Sequence, residues 1–200
     1  INQFASKEVR VFVVGNPCNT NCLVTLHHCP DLKPSQFFAM TQLDYNRAKY
    51  QISSKVGCLL SDVEDLVIWG NHSATQVPDI HNTRVQGKAI GEAISDRAWL
   101  EGAFMESVQK RGAAIIAARG KSSAASAANA IIDSIKNILS ENSLYTCGVY
   151  SANNPYDIDP NLVFSFPLQA TGGGGYVIRD SFIFDSLMEE RVKITERELI

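Results

Sequence analysis

Apolar runs and turn signals alternate along the first part of the chain. Residues 9–15, VRVFVVG, are β-branched and apolar on both faces, which predicts a strand buried within a parallel sheet. The turn NPCNTN follows, where Pro17 ends the strand and either Asn19 or Thr20 is suited to cap a helix running through His28. A strand that leads into a helix in this way predicts an α/β unit.

The next hydrophobic pattern predicts one long helix between two strands. Residues 37–41, FFAMT, form a short apolar run, and residues 42–57 carry apolar side chains at helical spacing up to the stop signal Gly57. The run LVIWG at 66–70 predicts a third strand, and the alternation across 75–87 predicts short antiparallel strands. The helix side chains expected to face the core are Leu43, Ala48, Ile52 and Val56.

The second half of the chain changes period. Residues 96–139 have an almost wholly helical pattern that is broken near Gly120. The runs LYTCGVYS, LVFSFPLQ and GYVIR then predict three strands of a terminal antiparallel sheet. The four glycines at 172–175 lead into a strand rather than a helix, so they predict a hairpin tip and not a phosphate-binding loop.

Composition and charge exclude several classes of protein. The chain has 200 residues, of which 45% are hydrophobic and 20% charged, and its formal net charge is −3. These values are typical of a folded globular chain, and the scattered basic residues give no reason to expect a nucleic acid or a membrane as partner. The first residues, INQFASKEVR, lack the apolar core of a signal peptide, so a cytoplasmic location is expected.

The five cysteines predict free thiols, because their number is odd and no secretory signal precedes them. The segment CNTNCLVTLHHC still raises the possibility of a zinc site formed by Cys18, Cys22, His27 and Cys29. Structural zinc sites usually pair ligands from two separate knuckles, which this segment does not provide. Buried thiols along a helix are the better interpretation, and no metal site is predicted.

The two ends of the chain suggest a fragment. It begins with isoleucine, and near its end Thr195 and Glu198 have the spacing of a capping box, which predicts that a helix begins there. That helix would be about one turn long, too short to form alone. We therefore expect a longer chain that is cut at both ends.

Three polar residues form a candidate catalytic set. Asp44 and Arg47 are three positions apart on one predicted helix and share a face, and His72 follows the next strand, at the edge where open α/β folds bind ligands. A guanidinium binds a carboxylate through two parallel hydrogen bonds, and a carboxylate fixes the tautomer of an imidazole that transfers protons. The sequence alone leaves open a surface ion pair between Asp44 and Arg47.

Four motifs in order, VFVVGNPCNTNCL, LDYNRA, IWGNHSATQVPD and ARGKSSAASAA, closely resemble the lactate/malate dehydrogenase superfamily, and within it the malate dehydrogenases of the cytosolic type. The likeness runs from Glu8 to Ile200 and corresponds to the carboxyl-terminal portion of such enzymes. It implies that Asp44 and His72 are catalytic, that Arg47 binds the substrate carboxylate, and that malate and oxaloacetate are interconverted.

The resemblance also implies further binding residues. Asn16 of the G-N-P turn would contact the substrate oxygen and lie by the cofactor, and the backbone at Val14 would lie beside the nicotinamide. Ser122 and Ser123 match positions that line the nicotinamide and the substrate, respectively. NAD is the implied cofactor, and a homodimer is the implied assembly.

The implied fold class is α/β, with an α+β catalytic domain. Residues 1–35 would be the last strand and helix of a Rossmann-type NAD-binding domain, and 36–200 the catalytic domain with its antiparallel sheet and long helices, truncated at its C-terminal helix. The glycine-rich dinucleotide fingerprint and the mobile substrate loop of the family are absent from this chain. The 200 residues alone are therefore expected to be inactive, and NADP remains open as cofactor. A lactate dehydrogenase on the same scaffold and a non-catalytic zinc-binding or interaction module are the alternatives.

Overall fold

Ten strands in three sheets form the β-structure of the protein, as seen in a computed structural model that describes all residues from 1 to 200. The strands are β1 (Val11–Val13), β2 (Phe37–Ala39), β3 (Val63–Glu64), β4 (Ile68–Trp69), β5 (Val77–Pro78), β6 (Arg84–Val85), β7 (Lys88–Ala89), β8 (Leu144–Tyr150), β9 (Val163–Ala170) and β10 (Tyr176–Ile178).

Seven α-helices and one π-helical segment accompany the sheets. The α-helices are α1 (Cys18–His27), α2 (Gln42–Val56), α3 (Ile90–Ala93), α4 (Met105–Gln109), α5 (Arg111–Arg119), α6 (Ala125–Leu139) and α7 (Ser186–Arg197), and the π-helix is Trp99–Phe104. None of these helices combines the length and the apolar character that crossing a membrane would require.

The largest sheet joins the start of the chain to its end, in the order β1-β2-β8-β9-β10. β1 and β2 are parallel, and the other neighbours are antiparallel. The three antiparallel strands predicted near the end are confirmed, but the expectation that they form a sheet of their own is wrong. All residues of β2 are buried, so the strand needs a partner on each edge, and Ala39 pairs with Gly148 of β8 on the second one.

Two small sheets form the region between α2 and α3, with the orders β3-β6-β7 and β4-β5. The antiparallel strands predicted within 75–87 are confirmed as β5 and β6. The strand predicted at 66–70 is shorter, because only Ile68–Trp69 pair with β5, while Gly70 forms an isolated bridge with Ser165.

The long helices follow the predicted pattern closely. α2 ends at Gly57, whose φ of +77° is a left-handed conformation, and α5 ends at Gly120, whose φ is +70°. Glycine adopts such angles without the steric cost of a Cβ, which explains why both helices end there. The glycines at 172–175 form the tip of the β9–β10 hairpin, as predicted.

Two predicted helix starts are wrong. α1 begins at Cys18 and has no side-chain cap, since the Asn19 side chain is directed elsewhere. Thr195 does not begin a helix, because it lies near the end of α7. The helix begins instead after Asp185, whose carboxylate accepts a hydrogen bond of 2.9 Å from the backbone N–H of Met188.

The cysteines are all free, as predicted, and four of the five are buried. Burial raises the pKa of the Cys18 thiol to about 11 and that of Cys22 to about 12. Both thiols therefore stay protonated at neutral pH and pack as small apolar groups. No group of three or more His, Cys, Asp or Glu side chains is placed to hold a metal ion.

Candidate active site

The structure brings Asp44, Arg47 and His72 together. Asp44 Oδ2 lies 2.5 Å from Nδ1 of His72, and its Oδ1 accepts a hydrogen bond of 3.2 Å from Nη1 of Arg47. The Asp44 side chain is only 1% exposed, while those of Arg47 and His72 are 15% and 16% exposed. One buried carboxylate therefore holds a cation with one oxygen and an imidazole with the other.

Local structure explains this convergence. Asp44 lies in the first turn of α2, directly after β2, and Arg47 follows one turn later on the same face. The isolated bridge between Gly70 and Ser165 ties the end of β4 to β9, a neighbour of β8 in the main sheet. His72 comes two residues after that bridge and so lies against the start of α2.

His72 has one nitrogen engaged and one free. No other group in the protein is within hydrogen-bonding reach of Nδ1 or Asp44 Oδ2, so the 2.5 Å contact between them is the one polar contact that either buried atom has. Nε2 makes no hydrogen bond within the protein, and the ring is partly exposed. Burial lowers the pKa of His72, but the hydrogen bond and the charge of Asp44 outweigh it, so the net pKa lies above 6.5. The ring is suited to exchange a proton through Nε2 near neutral pH.

Arg47 borders a cleft of about 880 Å³ between α2, α5 and α6. Burial lowers the pKa of its guanidinium below the ordinary value, and the nearby Asp44 carboxylate opposes this. A guanidinium in a protein stays charged at neutral pH. Lys110 and Arg111 also line the cleft, and its acidic side chain, Glu106, pairs with Lys110 at 2.6 Å. The positive excess favours an anionic ligand beside Arg47.

The main chain before His72 is held from two sides. The N–H of Gly70 donates to Ser165 O at 3.2 Å, and the N–H of Asn71 donates to Oγ1 of Thr195 on α7 at 2.9 Å. A Cβ at Gly70, where φ is +93°, would lie 2.2 Å from Cγ2 of Thr195. Only glycine allows α7 to approach this closely.

The loop after His72 is fixed by a carboxylate near the end of the chain. Oε2 of Glu198 accepts hydrogen bonds from Nδ2 of Asn71 at 2.9 Å, from the hydroxyl of Ser73 and from Oγ1 of Thr75 at 2.5 Å. Partial burial raises the pKa of Glu198, but these three donors lower it below its ordinary value. The carboxylate therefore stays charged at neutral pH and holds the loop.

The residues that the resemblance added lie outside this hydrogen-bonded set. Asn16 is exposed in the turn between β1 and α1, and Val14 is half-buried just before it. Ser122 is exposed and Ser123 half-buried in the link between α5 and α6. None of the four side chains forms a hydrogen bond with Asp44, Arg47 or His72, so their roles remain predictions.

The helix that follows the turn of Asn16 contacts His72. Asn19, three residues later, accepts the backbone N–H of His72 at 2.9 Å. The apolar Val14 and the free amide of Asn16 are of the type that suits the face and edge of a nicotinamide ring. These residues fit the nicotinamide end of a dinucleotide.

Sequence reasoning missed the structural partners of His72. It assigned Asn19 to a helix cap, and Thr195 and Glu198 to a capping box, whereas all three contact the 70–75 segment. Their residue types show only that these side chains can form hydrogen bonds, and not which groups are their partners. Nothing in the sequence identifies a partner more than 50 positions away.

Comparison with protein families gives one match. Residues 41–200 match the model of the lactate/malate dehydrogenase α/β C-terminal domain. The chain is 48% identical over 202 residues to the malate dehydrogenase of Protochlamydia amoebophila, and this match covers the whole chain and 61% of that protein. It is 45% identical to the chloroplastic NADP malate dehydrogenase 1 of Sorghum bicolor, over 47% of the length of that protein.

Solved structures give the same result. A malate dehydrogenase from Naegleria fowleri superposes with a TM-score of 0.91 at 38% identity, over 99% of this chain and 61% of that one. The lactate dehydrogenase of Trichomonas vaginalis in complex with NADH and oxamate gives 0.94 at 32% identity, over 99% and 62%. This chain thus spans less than two thirds of these relatives. It belongs to the lactate/malate dehydrogenase family and contains the α/β C-terminal domain of that family.

Proposed function

We propose that this chain is the carboxyl-terminal part of an NAD-dependent malate dehydrogenase of the cytosolic type. The single observation that carries the proposal is the Asp44 carboxylate, which holds the His72 imidazole at 2.5 Å and the Arg47 guanidinium at 3.2 Å. One carboxylate thereby brings a proton-transfer group and a carboxylate-binding group side by side. Among the relatives, the names malate dehydrogenase recur at 43–48% identity.

The mechanism follows from the three side chains. The planar guanidinium of Arg47 binds the C1 carboxylate of malate in two parallel hydrogen bonds and so fixes the orientation of C2. Nε2 of His72 removes the proton of the C2 hydroxyl, and the negative Asp44 stabilises the imidazolium that results. When bound, the nicotinamide supplies hydride chemistry that the side chains lack. In the reverse direction His72 returns the proton to the oxygen of oxaloacetate.

The other proposed site residues complete the pocket. Asn16 donates to the substrate oxygen from the β1–α1 turn and borders the cofactor, with Val14 along the nicotinamide. Ser123 faces the substrate and Ser122 the cofactor. Residues 1–35 then belong to the NAD-binding domain and 36–200 to the catalytic domain. NAD rather than NADP is our proposal, although several plant relatives carry NADP in their names.

We further propose a cytoplasmic homodimer. Three aliphatic side chains on one face of α6 are 44–53% exposed, and this apolar face suits a second copy: they are Ile132, Ile135 and Leu139. Sedimentation of the full-length protein should give twice the monomer mass, and fractionation of its native cells should recover it with cytoplasmic markers. A monomer, or recovery in an organelle, would contradict these two proposals.

A lactate dehydrogenase is the second candidate, because the T. vaginalis lactate dehydrogenase superposes with a TM-score of 0.94. The deciding experiment measures kcat/KM of the full-length protein for oxaloacetate and for pyruvate, each with NADH and with NADPH. Our proposal predicts that the oxaloacetate and NADH pair is preferred. A preference for pyruvate would establish the second candidate, and a preference for NADPH would overturn the cofactor assignment.

A further inference from the structure

Asn19 makes contacts that none of the assigned roles uses. Its Oδ1 accepts the backbone N–H of His72 at 2.9 Å, while its Nδ2 donates to the carbonyls of Val163 at 2.8 Å and Gly70 at 3.3 Å. One amide on α1 therefore joins the first residue of β9, the end of β4 and the histidine itself. The residue is 1% exposed, so water cannot replace these bonds.

The surrounding structure is built to admit this amide. A Cβ at Gly148 of β8 would lie 2.9 Å from the Ala39 Cβ and 3.4 Å from Nδ2 of Asn19, so a larger residue there would crowd both. Asn19 is thus enclosed between the main sheet and the loop. Its side chain therefore has little freedom to move. Its three hydrogen bonds hold the backbone of His72 in a fixed position.

Three successive N–H groups place His72, and each is held by a different element. The N–H of Gly70 donates to the carbonyl of Ser165 on β9, and the N–H of Asn71 donates to the hydroxyl of Thr195 on α7. The third N–H group, that of His72 itself, donates to Oδ1 of Asn19. Of these three acceptors, Asn19 alone lies on α1, the helix that follows the turn of Asn16.

We propose that Asn19 is a positioning residue that sets the imidazole of His72 against Asp44 and couples it to the turn on the proposed cofactor side. This inference rests on the proposed function, in which His72 transfers the proton while the nicotinamide lies along that turn. A shift of the His72 backbone lengthens the 2.5 Å contact to Asp44 and moves Nε2 relative to the substrate. Misplacement by about 1 Å costs up to roughly 100-fold in rate.

The test compares Asn19→Ala with native protein in the full-length enzyme. We expect kcat for oxaloacetate reduction to fall about 10- to 100-fold. We also expect the alkaline fall of kcat/KM to move to lower pH, since a lengthened contact to Asp44 raises the pKa of His72 less. An NMR titration of the His72 ring gives the same shift independently of turnover.

Asn154→Ala is the matched control. The Asn154 amide also bonds several backbone groups, among them the carbonyls of Ser151 at 2.8 Å and Ile158 at 2.7 Å, but in a loop without contact to His72. It should lower the melting temperature without moving the pH profile. If Asn19→Ala behaved like this control, a merely structural role would follow and the inference would fall.

Asn19→Ser covers the case in which the alanine variant does not fold. It keeps a small neutral hydroxyl that can donate and accept but cannot hold all three backbone groups, so a smaller loss of kcat and a pH shift in the same direction are expected. Native kcat and an unmoved His72 titration in this variant would overturn the inference. Absence of dehydrogenase activity in the native protein would instead refute the proposed function, while the NMR comparison would still test Asn19.

Discussion

Replacing Asp44 with asparagine keeps the shape of the side chain and removes the charge that holds His72 and Arg47. The contact from Oδ2 to Nδ1 of His72 is 2.5 Å long, and the aspartate is 1% exposed, so no solvent replaces it. A charge-assisted hydrogen bond of this kind contributes about 1.5–3 kcal/mol, which corresponds to a roughly 10- to 150-fold fall in kcat. We expect Asp44→Asn to lose at least that much turnover, because the amide also favours the wrong imidazole tautomer.

The same substitution should change the pH dependence of the rate. In the proposed mechanism His72 must be protonated to reduce oxaloacetate, so kcat/KM should fall as the pH rises through the His72 pKa. Burial lowers that pKa and Asp44 raises it, with a net increase in the native protein. Without the carboxylate the lowering effects of burial and of the Arg47 charge remain, so the fall moves to lower pH. Steady-state rates of the full-length protein across the pH range measure both effects.

Asp96→Asn is the control, because it removes a carboxylate from an ion pair to which no catalytic role is assigned. Asp96 lies 3.2 Å from Nζ of Lys55, and both side chains are exposed. Exposed pairs contribute little, so kcat should stay within about twofold of the native value. If Asp44→Asn kept its kcat within that same range, with an unmoved pH profile, the role assigned to Asp44 would be refuted.

Three further predictions concern the same site. Gly70→Ala should lower the free energy of unfolding in denaturant by about 2–4 kcal/mol through backbone strain and crowding against Thr195. Gly91 lies in open space, so a loss no larger than that of Gly91→Ala would contradict this prediction. Arg47→Lys should raise KM, lower kcat and reduce kcat/KM about 10- to 100-fold because the planar fork is lost, and an unchanged kcat/KM would refute the carboxylate anchor. Because the folded-state pKa of His72 is raised, the stability that His72 adds is fully present below about pH 6.5 and is lost as the pH rises through the folded pKa. The difference in unfolding free energy between native protein and His72→Asn should therefore shrink from pH 5.5 to 8.5, and a constant difference would contradict the raised pKa.

The elements with strong local signals could be predicted from the sequence. The apolar spacing of α2 and the glycine after it are local features, so that helix appears with its predicted bounds. The joining of β2 to β8 was missed, because it depends on pairing between Ala39 and Gly148, far apart in the chain. Two-residue strands such as β4 are likewise set by their neighbours rather than by propensity.

The candidate site divides in the same way. Helical spacing places Asp44 and Arg47 on one face, and the position of His72 after a strand brings it to the same edge. Asn19 was considered, as an alternative to Thr20, only as a helix cap. Its actual partners are main-chain groups 51, 53 and 144 positions away. A side chain that bonds the backbone leaves no residue-type signature at its partner, so such contacts emerge only from the fold.

Turnover by His72→Asn in the full-length protein is the sharpest test of the proton-transfer role proposed for His72. We expect kcat for oxaloacetate reduction to fall by at least about 100-fold. The dissociation constant of the reduced cofactor, measured by fluorescence titration, should stay within about threefold, because the ring acts on the substrate proton. Native turnover in this variant would refute that role, since Asp44 contacts no other imidazole.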